Sequence, residues 1–519
     1  MSPHPDVSVP SVTSISTPDR IESRLGPLQF QDGAPTNETA DLLYDHLDFL
    51  HGVEAFINAY RGASTTAVRR GFTSIGVEDN TVLIFSDLMD SASLFLTANC
   101  DTIYVLSFLD LSDGPMVVEV PALPAPSGIL GTADDMWFRW VTDIGLPGPD
   151  RGTGGHYLFV GPGYEGELPD SGFHVSHSRT TRVILLLRAF MIDNDPTVPV
   201  QVIRDQLRIH PYAPGGPGTA VASFLAGRAT LAGPAAAPET HFVEGSGVAF
   251  NTIPPVDFGY WDLVNELVQN EPVGAGDPEV LGLLAAVGIV KGQPFAPDQR
   301  MRKVLEEAAV VGNATARTVS IAPREEEGWA YYPGSGWMNP LFTAGYDFLA
   351  PPPHITGAGA VQSPQDGALK LNARIAWFYP YTGVTPAMCM RLTGIGSQYI
   401  FTMRDGDGAF LDGGLNYRLS LPPDIPQSRF WSVMVYDRQT RSMLQTDQPK
   451  PDLGSQSGTV RQNPDGSTEI YFGPAEPDGH ATNWLQTLPG KGYFVILRLY
   501  NPLQPFFEKS WRPSEIGRD

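Results

Sequence analysis

The segment ANCDTIY, residues 98–104, carries polar side chains inside an otherwise apolar stretch of the chain. By strand alternation, Asn99 and Asp101 share one face, and Thr102 and Tyr104 the other. A carboxylate in apolar surroundings needs hydrogen bonds or a cation, or its pKa rises, which is how a general acid or base is often made. We therefore expect Asp101 to be a catalytic acid/base or metal ligand, Tyr104 a hydrogen-bond donor and Asn99 a substrate contact. The alternative is a structural hydrogen-bond network that closes a strand.

A second group that could do chemistry is His156, which follows the glycine-rich run RGTGG and begins a strand-like segment. A histidine at a strand end beside flexible glycines can serve as a general base or a ligand. We expect His156 to act with Asp101, and the alternative is an exposed turn residue. Arg139 and Arg151 are the cations expected to balance the charge of an anionic substrate.

Three aspartates lie among glycines in the run RDGDGAFLDGGLNY: Asp405, Asp407 and Asp412. Such a loop can turn tightly while its carboxylates converge, so it could hold a hard divalent cation such as calcium through oxygen ligands. The run is not an EF-hand, because a carboxylate at the fifth position and the late glutamate are missing. The alternative is a hairpin whose Asp-Gly steps build turns.

Aromatic residues cluster in GWAYYPGSGW, where Tyr331, Tyr332 and Trp337 stand in a loop-rich stretch. Few strands are predicted nearby for them to pack against, so they are candidates to line a pocket for an apolar or ring-shaped ligand. The alternative is that they belong to the protein core.

The elements that must position these residues change character along the chain. Leu43, Leu47 and Leu50 recur at helical spacing, and short apolar runs separated by turns predict strands after them. TTRVILLLRAFMI is predicted to be a strand because Thr, Val and Ile dominate its first half, and ARIAWFYPY is predicted to be another. The segments expected are a disordered arm (1–35), an N-terminal β module with a leading helix (36–195), a helical segment (196–327), an aromatic loop-rich linker (328–370) and a C-terminal β-sandwich module (371–519).

Turn residues at intervals of about 8–12 positions are typical of antiparallel sandwiches and jelly rolls. We expect an α+β, β-dominated fold with two antiparallel β-sandwich or jelly-roll-like domains and a helical segment between them. Homo-oligomer formation through long strands or the helical segment is left open.

The formal net charge of the 519-residue chain is −23, and a surface that negative repels nucleic-acid phosphates and anionic lipid headgroups. Nucleic acids and membranes are therefore poor partners. The two cysteines, Cys100 and Cys389, exclude a disulfide scaffold and fit a reducing compartment. No apolar segment near the start resembles a secretory signal, so the expected location is cytoplasmic.

The run TANCDTIY with SFLDLSDGPMVVEVP after it resembles an N-terminal module known as domain of unknown function 1254, in which the form is closer to TxNxDTxY. RDGDGAFLDGGLNY, PQSRFWSVMVYD, NPDGSTEIYFGP, NWLQT and RLYNP resemble the C-terminal module called domain of unknown function 1214. The resemblance covers nearly all of residues 40–515. It implies paired β-sandwich domains with helical segments, and it supplies no catalytic residue set. Cys100 stands where the family usually has a second polar residue, so a ligand contact at that position would differ here.

These observations lead to two hypotheses of different classes. The first is an enzyme that acts on a small organic substrate in a cleft between the β domains, by hydrolytic or lyase-type acid/base chemistry that a divalent metal ion could assist. The second is a non-catalytic protein of two sandwiches that binds a carbohydrate or a hydrophobic ligand. Convergence of Asp101 and His156 in one enclosed pocket would favour the enzyme.

Overall fold

The computed structural model describes residues 16–213, 225–226, 239–352, 354–356, 359–361 and 367–519. The chain is 26% helical and 27% strand, and the expected α+β fold with β-rich domains is confirmed. Near the N-terminus, three antiparallel strands form a small sheet: β1 (Arg20–Ser23), β2 (Gly26–Gln31) and β3 (Ala34–Pro35). The predicted disordered arm is therefore wrong for residues 20–35, and its residues 1–15 lie outside the described part of the chain.

Two sheets pack face to face in the N-terminal half. The six-stranded sheet contains, in spatial order, β14 (Phe242–Glu244), β4 (Val82–Ile84), β6 (Ile103–Asp110), β12 (Arg182–Ala189), β8 (Ile129–Asp135) and β9 (Trp140–Gly145). The four-stranded sheet contains β11 (His174–His177), β10 (Gly155–Val160), β7 (Met116–Val120) and β13 (Arg208–Pro211). A short parallel pair joins β5 (Ser93–Leu94) to β15 (Phe250–Asn251). Val105, Val118 and Tyr157 are buried between the two larger sheets.

The C-terminal half forms a second sandwich of two four-stranded sheets. One sheet contains β18 (Ser397–Thr402), β24 (Tyr493–Pro502), β20 (Gln427–Asp437) and β21 (Asp452–Gly454). The other contains β23 (Trp484–Gln486), β22 (Thr468–Gly473), β19 (Tyr417–Leu421) and β25 (Gly517–Arg518). A separate hairpin consists of β16 (His354–Thr356) and β17 (Gly359–Val361). Leu419, Val433 and Ile470 are buried between the two large sheets.

The helices lie mainly between these two halves. The α-helices in the described part of the chain are α1 (Asn37–Ser74), α2 (Thr197–Gln206), α3 (Gly259–Asn270), α4 (Pro278–Ala286), α5 (Gln299–Ile321), α6 (Leu341–Ala344), α7 (Leu371–Phe378) and α8 (Gln504–Phe507). Short 3-10 helices occur at Val273–Ala275, Glu325–Glu327, Pro386–Met388 and Ala481–Asn483. None of the described helices combines the length and the apolar character that crossing a bilayer requires.

The long helix α1 is built for close packing. Thr36 is its N-cap residue, and the Thr36 side-chain oxygen accepts a hydrogen bond from the Thr39 backbone N–H at 3.3 Å. Further along, a Cβ at Gly52 would lie 2.7 Å from the Cβ of Ala308, and a Cβ at Gly62 would lie 2.4 Å from a methyl carbon of Leu267. Only glycine at these positions allows α5 and α3 to approach α1 so closely.

Both sandwiches share a central core with the helices. Along β6, Val105 and Leu109 face the sandwich interior, whereas Leu106 and Phe108 face the helices. In the C-terminal half, Tyr436 of β20 also faces the central core. These strands are therefore buried on both faces, which explains why their sequences are continuously apolar instead of alternating.

Several predicted elements need correction. The prediction of a strand at TTRVILLLRAFMI is confirmed by β12, but ARIAWFYPY contains the helix α7. All of Ala373, Ile375 and Trp377 are buried there, and a short run that is apolar on every side gives no period that distinguishes strand from helix. The segment expected to be all helical also contributes β13, β14 and β15, so the N-terminal sheets extend beyond residue 195.

Candidate functional site

A cavity of about 90 Å³ lies where the two sandwiches meet. We call it the junction cavity. Its wall combines the segment before β6, parts of β8 and β12, the loop after α7, and residues of β18 and β24. The lining residues are Phe95, Leu96, Thr97, Ala98, Asn99, Tyr104, Leu130, Gly131, Thr132, Pro147, Leu186, Arg188, Trp377, Tyr381, Thr382, Thr385, Ala387, Met388, Ser397, Tyr399 and Arg498.

Two arginines reach this cavity from opposite halves of the protein. Arg188 of β12 is held in register beside Tyr104, and Arg498 of β24 beside Tyr399. An Nη2 of Arg498 donates a hydrogen bond to the Thr97 carbonyl oxygen at 2.9 Å. Among the described residues, neither guanidinium has a carboxylate within ion-pair distance, although both remain charged at any pH that the fold tolerates. The charge of the buried Asp101 raises the pKa of both guanidiniums, so two positive charges at the cavity are offset in part by one negative charge.

Hydroxyl groups supply further hydrogen-bond donors. The Tyr104 oxygen accepts from the Asn99 backbone N–H at 3.2 Å and from its side-chain amide at 3.1 Å, which leaves the phenolic proton to be donated. The buried hydroxyls of Tyr381 and Thr382 have no hydrogen-bond partner within the described part of the chain. Burial raises the pKa of Tyr381 well above its ordinary value, so this phenol stays protonated. Uncompensated donors inside an apolar wall favour a ligand that accepts hydrogen bonds.

Stacked aromatic rings form one side of the cavity. The rings of Trp377 and Tyr381 lie 4.2 Å apart at 12°, and those of Tyr381 and Tyr399 lie 6.4 Å apart at 15°. The Trp377 indole N–H donates to the Gly383 carbonyl oxygen at 3.0 Å, which fixes the ring. This side is therefore a rigid and flat apolar surface.

The predicted arrangement of the ANCDTIY segment is wrong in one respect. The side-chain oxygen of Asn99 accepts the backbone N–H groups of Asp101 and Thr102, so the chain bends before β6 begins at Ile103. Strand alternation does not apply to a bend of this kind, and Asn99 and Tyr104 contact each other instead of occupying opposite faces.

Asp101 lies behind the cavity wall and joins the two halves of the protein. One of its carboxylate oxygens accepts from the Tyr500 hydroxyl at 2.7 Å, and the other from the Ser432 hydroxyl at 2.6 Å. Both donors come from the C-terminal sandwich. The side chain is 4% exposed and does not line the cavity, so its visible role is a charge-assisted link between the modules.

Asp452 of β21 is a second buried carboxyl group close to Asp101. Burial raises the pKa of Asp452 well above its ordinary range, the charge of Asp101 raises it further, and Arg498 lowers it. One of its oxygens is buried without a hydrogen-bond partner among the described residues. Asp452 therefore holds its proton more tightly than an ordinary carboxyl group does.

The structure does not bring His156 into this site. His156 lies exposed on the outer face of the four-stranded N-terminal sheet, with its ring 5.7 Å from that of Phe173. The acid/base pair of Asp101 and His156 is therefore wrong in the form predicted. Arg151 is an exposed turn residue, and Arg139 is engaged by Asp135 at 2.6 Å. The glycines before His156 border a wide and open surface groove of about 620 Å³, which is separate from the junction cavity.

The predicted aromatic pocket is also corrected. Tyr331, Tyr332 and Trp337 are buried in the core of the C-terminal sandwich, and Trp337 is 0% exposed. The hydroxyl of Tyr331 donates to the Phe506 carbonyl oxygen at 2.8 Å, and the Trp337 indole donates to that of Ser514 at 2.9 Å. Residues near the C-terminus cover these rings. A local sequence pattern does not indicate that a segment so distant along the chain packs against them.

The aspartate-rich loop makes turns instead of a metal site. Asp405 is buried and accepts the backbone N–H groups of Asp407 and Ala409, while Asp412 accepts that of Gly414. Arg518 also donates to Asp405 at 3.2 Å. Throughout the part of the chain that the structure describes, no three His, Cys, Asp or Glu side chains form a group that could hold a metal ion. The predicted ligand set of Asp405, Asp407 and Asp412 does not converge.

The main cavity residues that sequence reasoning missed are Arg188, Arg498, Tyr381 and Tyr399. A signal was present for the arginines, because each interrupts a continuously apolar strand, in VILLLRAF and VILRLY. A charge in a strand that is buried on both faces requires a partner or a ligand. For Tyr381 there was no comparable signal, since ARIAWFYPY was assigned to the wrong element, and Tyr399 stood in a predicted strand with no feature that set it apart.

Fold and site together define a class: an α+β protein of two β-sandwiches around a helical core, with an arginine-lined cavity at their junction. Residues 80–211 match the family described as protein of unknown function DUF1254, and residues 396–504 match protein of unknown function DUF1214. The resemblance found in the sequence is thereby confirmed: the chain carries segments that match both domains, in the order DUF1254 and then DUF1214.

Two solved structures are similar to this chain to different degrees. The crystal structure of the VPA0106 protein from Vibrio parahaemolyticus is similar with a TM-score of 0.52 at 20% identity, covering 91% of this chain and 100% of that one. A putative uncharacterized protein from Burkholderia cenocepacia has a TM-score of 0.36 at 13% identity, covering 92% of this chain and 96% of that one. No functionally curated protein matches the chain.

Proposed function

We propose that the junction cavity binds a short-chain organic carboxylate. The observation that carries this proposal is the pair of guanidiniums of Arg188 and Arg498, which line the cavity without a carboxylate partner among the described residues. Guanidinium groups match carboxylates through two parallel N–H···O bonds, and such bonds are among the strongest in proteins. The formal charge of the whole chain is −23, so a positively charged cavity in this protein is a local and specific feature.

The size and polarity of the cavity define the rest of the ligand. A dry cavity of about 150 Å³ holds benzene, whereas the junction cavity measures about 90 Å³ and suits a chain of only a few carbon atoms. Leu96, Leu186 and Met388 provide apolar surface for that chain. The hydroxyls of Tyr104 and Tyr381 complete the binding of the carboxylate head as neutral donors.

Titration calorimetry with two ligands of nearly equal shape tests the proposal. Propionate should bind at least about 10-fold more tightly than propionamide, because only the anion forms charge-assisted bonds with the arginines. Arg188→Gln should remove this preference. The matched control is Arg418→Gln, an exposed position on β19 that lies outside the cavity and should leave the preference unchanged. Equal binding of both ligands, or an unchanged preference in Arg188→Gln, would contradict the proposal.

A second candidate function is catalysis: a hydrolytic reaction that releases such a carboxylate from an ester, or a lyase reaction that acts on the carboxylate itself. It is favoured by the buried carboxyl group of Asp452, which interacts with Asp101 and Arg498. Burial raises the pKa of Asp452 well above its ordinary value, and ionisable groups with strongly shifted pKa values cluster at catalytic sites. Proton NMR of the protein with methyl propionate and with 3-hydroxybutyrate tests ester hydrolysis and dehydration. Turnover that Asp452→Asn abolishes while propionate still binds would support catalysis, and the absence of turnover would contradict it.

We also infer a cytoplasmic location, supported by the two cysteines. Cys100 and Cys389 are both buried and unpaired, and burial raises the pKa of both thiols, which makes them inert. Such thiols are typical of a reducing compartment. Fractionation of the native cells, with detection by antibody, is the direct test, and recovery outside the cytoplasm would contradict the inference.

A further inference from the structure

A second cavity, of about 190 Å³, lies among the helices away from the junction. We call it the helical cavity. Its walls come from α3, the turn that follows it, α4 and the turn between β8 and β9. Val273 at its edge is 75% exposed, so the cavity is accessible from solvent. The lining residues are Trp137, Leu267, Val268, Glu271, Pro272, Val273, Ala275, Gly276, Leu281, Ala285, Ile289, Val290 and Lys291.

Two of the side chains that line this apolar cavity each carry a buried polar atom without a hydrogen-bond partner among the described residues. The indole N–H of Trp137 is a donor, Oε1 of Glu271 is an acceptor, and neither has a hydrogen-bond partner within the described part of the chain. The two side chains are 2% and 3% exposed. A buried polar atom without a partner costs about 1–3 kcal/mol, so one such donor and one such acceptor at the same cavity point to a ligand that supplies both missing bonds.

Both side chains are held in fixed positions by the surrounding structure. The other carboxylate oxygen of Glu271 accepts from the backbone N–H of Thr181 at 2.5 Å and from its hydroxyl at 2.9 Å. A Cβ at Gly62 of α1 would lie 3.1 Å from the Trp137 ring, so α1 packs directly against the indole. Glu271 also borders a void of about 10 Å³, which is large enough for a single water at most. The donor and the acceptor are therefore preorganised.

We propose that the helical cavity binds a small, neutral, largely apolar molecule that carries a hydroxyl group. The hydroxyl oxygen accepts from the Trp137 indole, and its proton is donated to Glu271. An anion is disfavoured because the Glu271 carboxylate would repel it, and the Lys291 ammonium in the cavity wall already donates to the carbonyl oxygens of Val268 and Gln269. The volume exceeds the approximately 150 Å³ of a cavity that holds benzene, so a six-membered ring fits.

Cyclohexanol and cyclohexanone form a matched pair of probes, because they differ only in whether the oxygen can donate. The full-length protein should bind cyclohexanol about 10-fold more tightly than cyclohexanone, measured by calorimetry. The indole N–H resonance of Trp137, assigned by its absence from Trp137→Phe, should shift during the cyclohexanol titration. Binding without that shift, or equal affinity for the two probes, would overturn the proposal.

Glu271→Gln provides a sharper test because Thr181 fixes the orientation of the side chain. The amide oxygen must remain with the two Thr181 donors, so the NH₂ group then faces the cavity and replaces an acceptor by a donor. The variant should prefer cyclohexanone over cyclohexanol. If the alcohol remains preferred in a folded variant, Glu271 does not contact the ligand and the proposal fails.

Ala285→Phe tests the location independently of the polar groups. Ala285 is exposed on α4 and lines the cavity, so a larger side chain there should fill the space without disturbing the core. Affinity for both probes should fall at least about 10-fold. Unchanged affinity in this variant would show that the probes bind elsewhere and would overturn the proposal.

Discussion

The two cavities have similarly apolar walls and differ in the polar atoms that face them. The junction cavity contains two guanidiniums and several hydroxyl donors, whereas the helical cavity contains one donor and one carboxylate acceptor. Apolar surface contributes affinity without distinguishing among ligands, and a few fixed polar groups decide the charge of the molecule that binds. The comparison shows that buried polar groups without a partner indicate whether a cavity binds an anion or a neutral molecule, whereas its volume does not.

The largest expected effect comes from Arg188→Gln. Loss of one charge-assisted pair should weaken propionate binding by about 100-fold. The same variant should bind cyclohexanol as the unchanged protein does, because Arg188 does not line the helical cavity. Calorimetry with both ligands on one preparation checks this, and a parallel loss of both affinities would indicate that the cavities are not independent.

Tyr500→Phe should weaken the junction between the modules. The Tyr500 hydroxyl donates to the buried Asp101 carboxylate, and removal of that bond should cost about 2–3 kcal/mol of the free energy of unfolding. Chemical denaturation measures the change. Tyr471→Phe, at a half-exposed tyrosine of β22, is the control and should change stability little. A free energy of unfolding unaltered by Tyr500→Phe would mean that Asp101 does not depend on this donor.

Asp143 should make the stability of the junction depend on pH. Its carboxylate accepts a hydrogen bond from Thr385 in the cavity wall, and burial raises its pKa from the usual 3.8 to about 6. Because the folded state holds the proton more tightly, this group lowers the free energy of unfolding as the pH rises from about 4 to about 6. Asp143→Asn should remove that loss, a gain of about 3 kcal/mol above pH 6 and none below pH 4. Denaturation curves across this range check it, and an equal effect at all pH values would contradict it.

The smallest expected effect belongs to Tyr381→Phe. Removal of a buried hydroxyl that lacks a partner should raise the free energy of unfolding by about 1 kcal/mol. The same change should weaken propionate binding by about fivefold, since the ligand loses one neutral donor. Opposite signs for stability and binding would mark the hydroxyl as a ligand contact, whereas a loss of stability would indicate an internal partner.

The sequence predicted the two-module family, the β-rich α+β fold and part of the segment that borders the junction cavity. Asn99 and Tyr104 were selected because polar residues stood inside an apolar run, and both line the cavity. His156 was selected from its neighbouring glycines, which describe local flexibility and carry no information about the direction in which a surface turn points. The arginines were overlooked although each lies in a strand buried on both faces.

The shared helical core has a consequence for how this chain folds. Leu106 of β6 and Tyr436 of β20 both pack into it, so each sandwich has one outer face that is apolar and that the shared core covers. A fragment that ends after the first family segment, or begins at the second, would expose this surface and is expected to aggregate. Because both segments contribute to one core, we expect them to unfold together in a single cooperative transition.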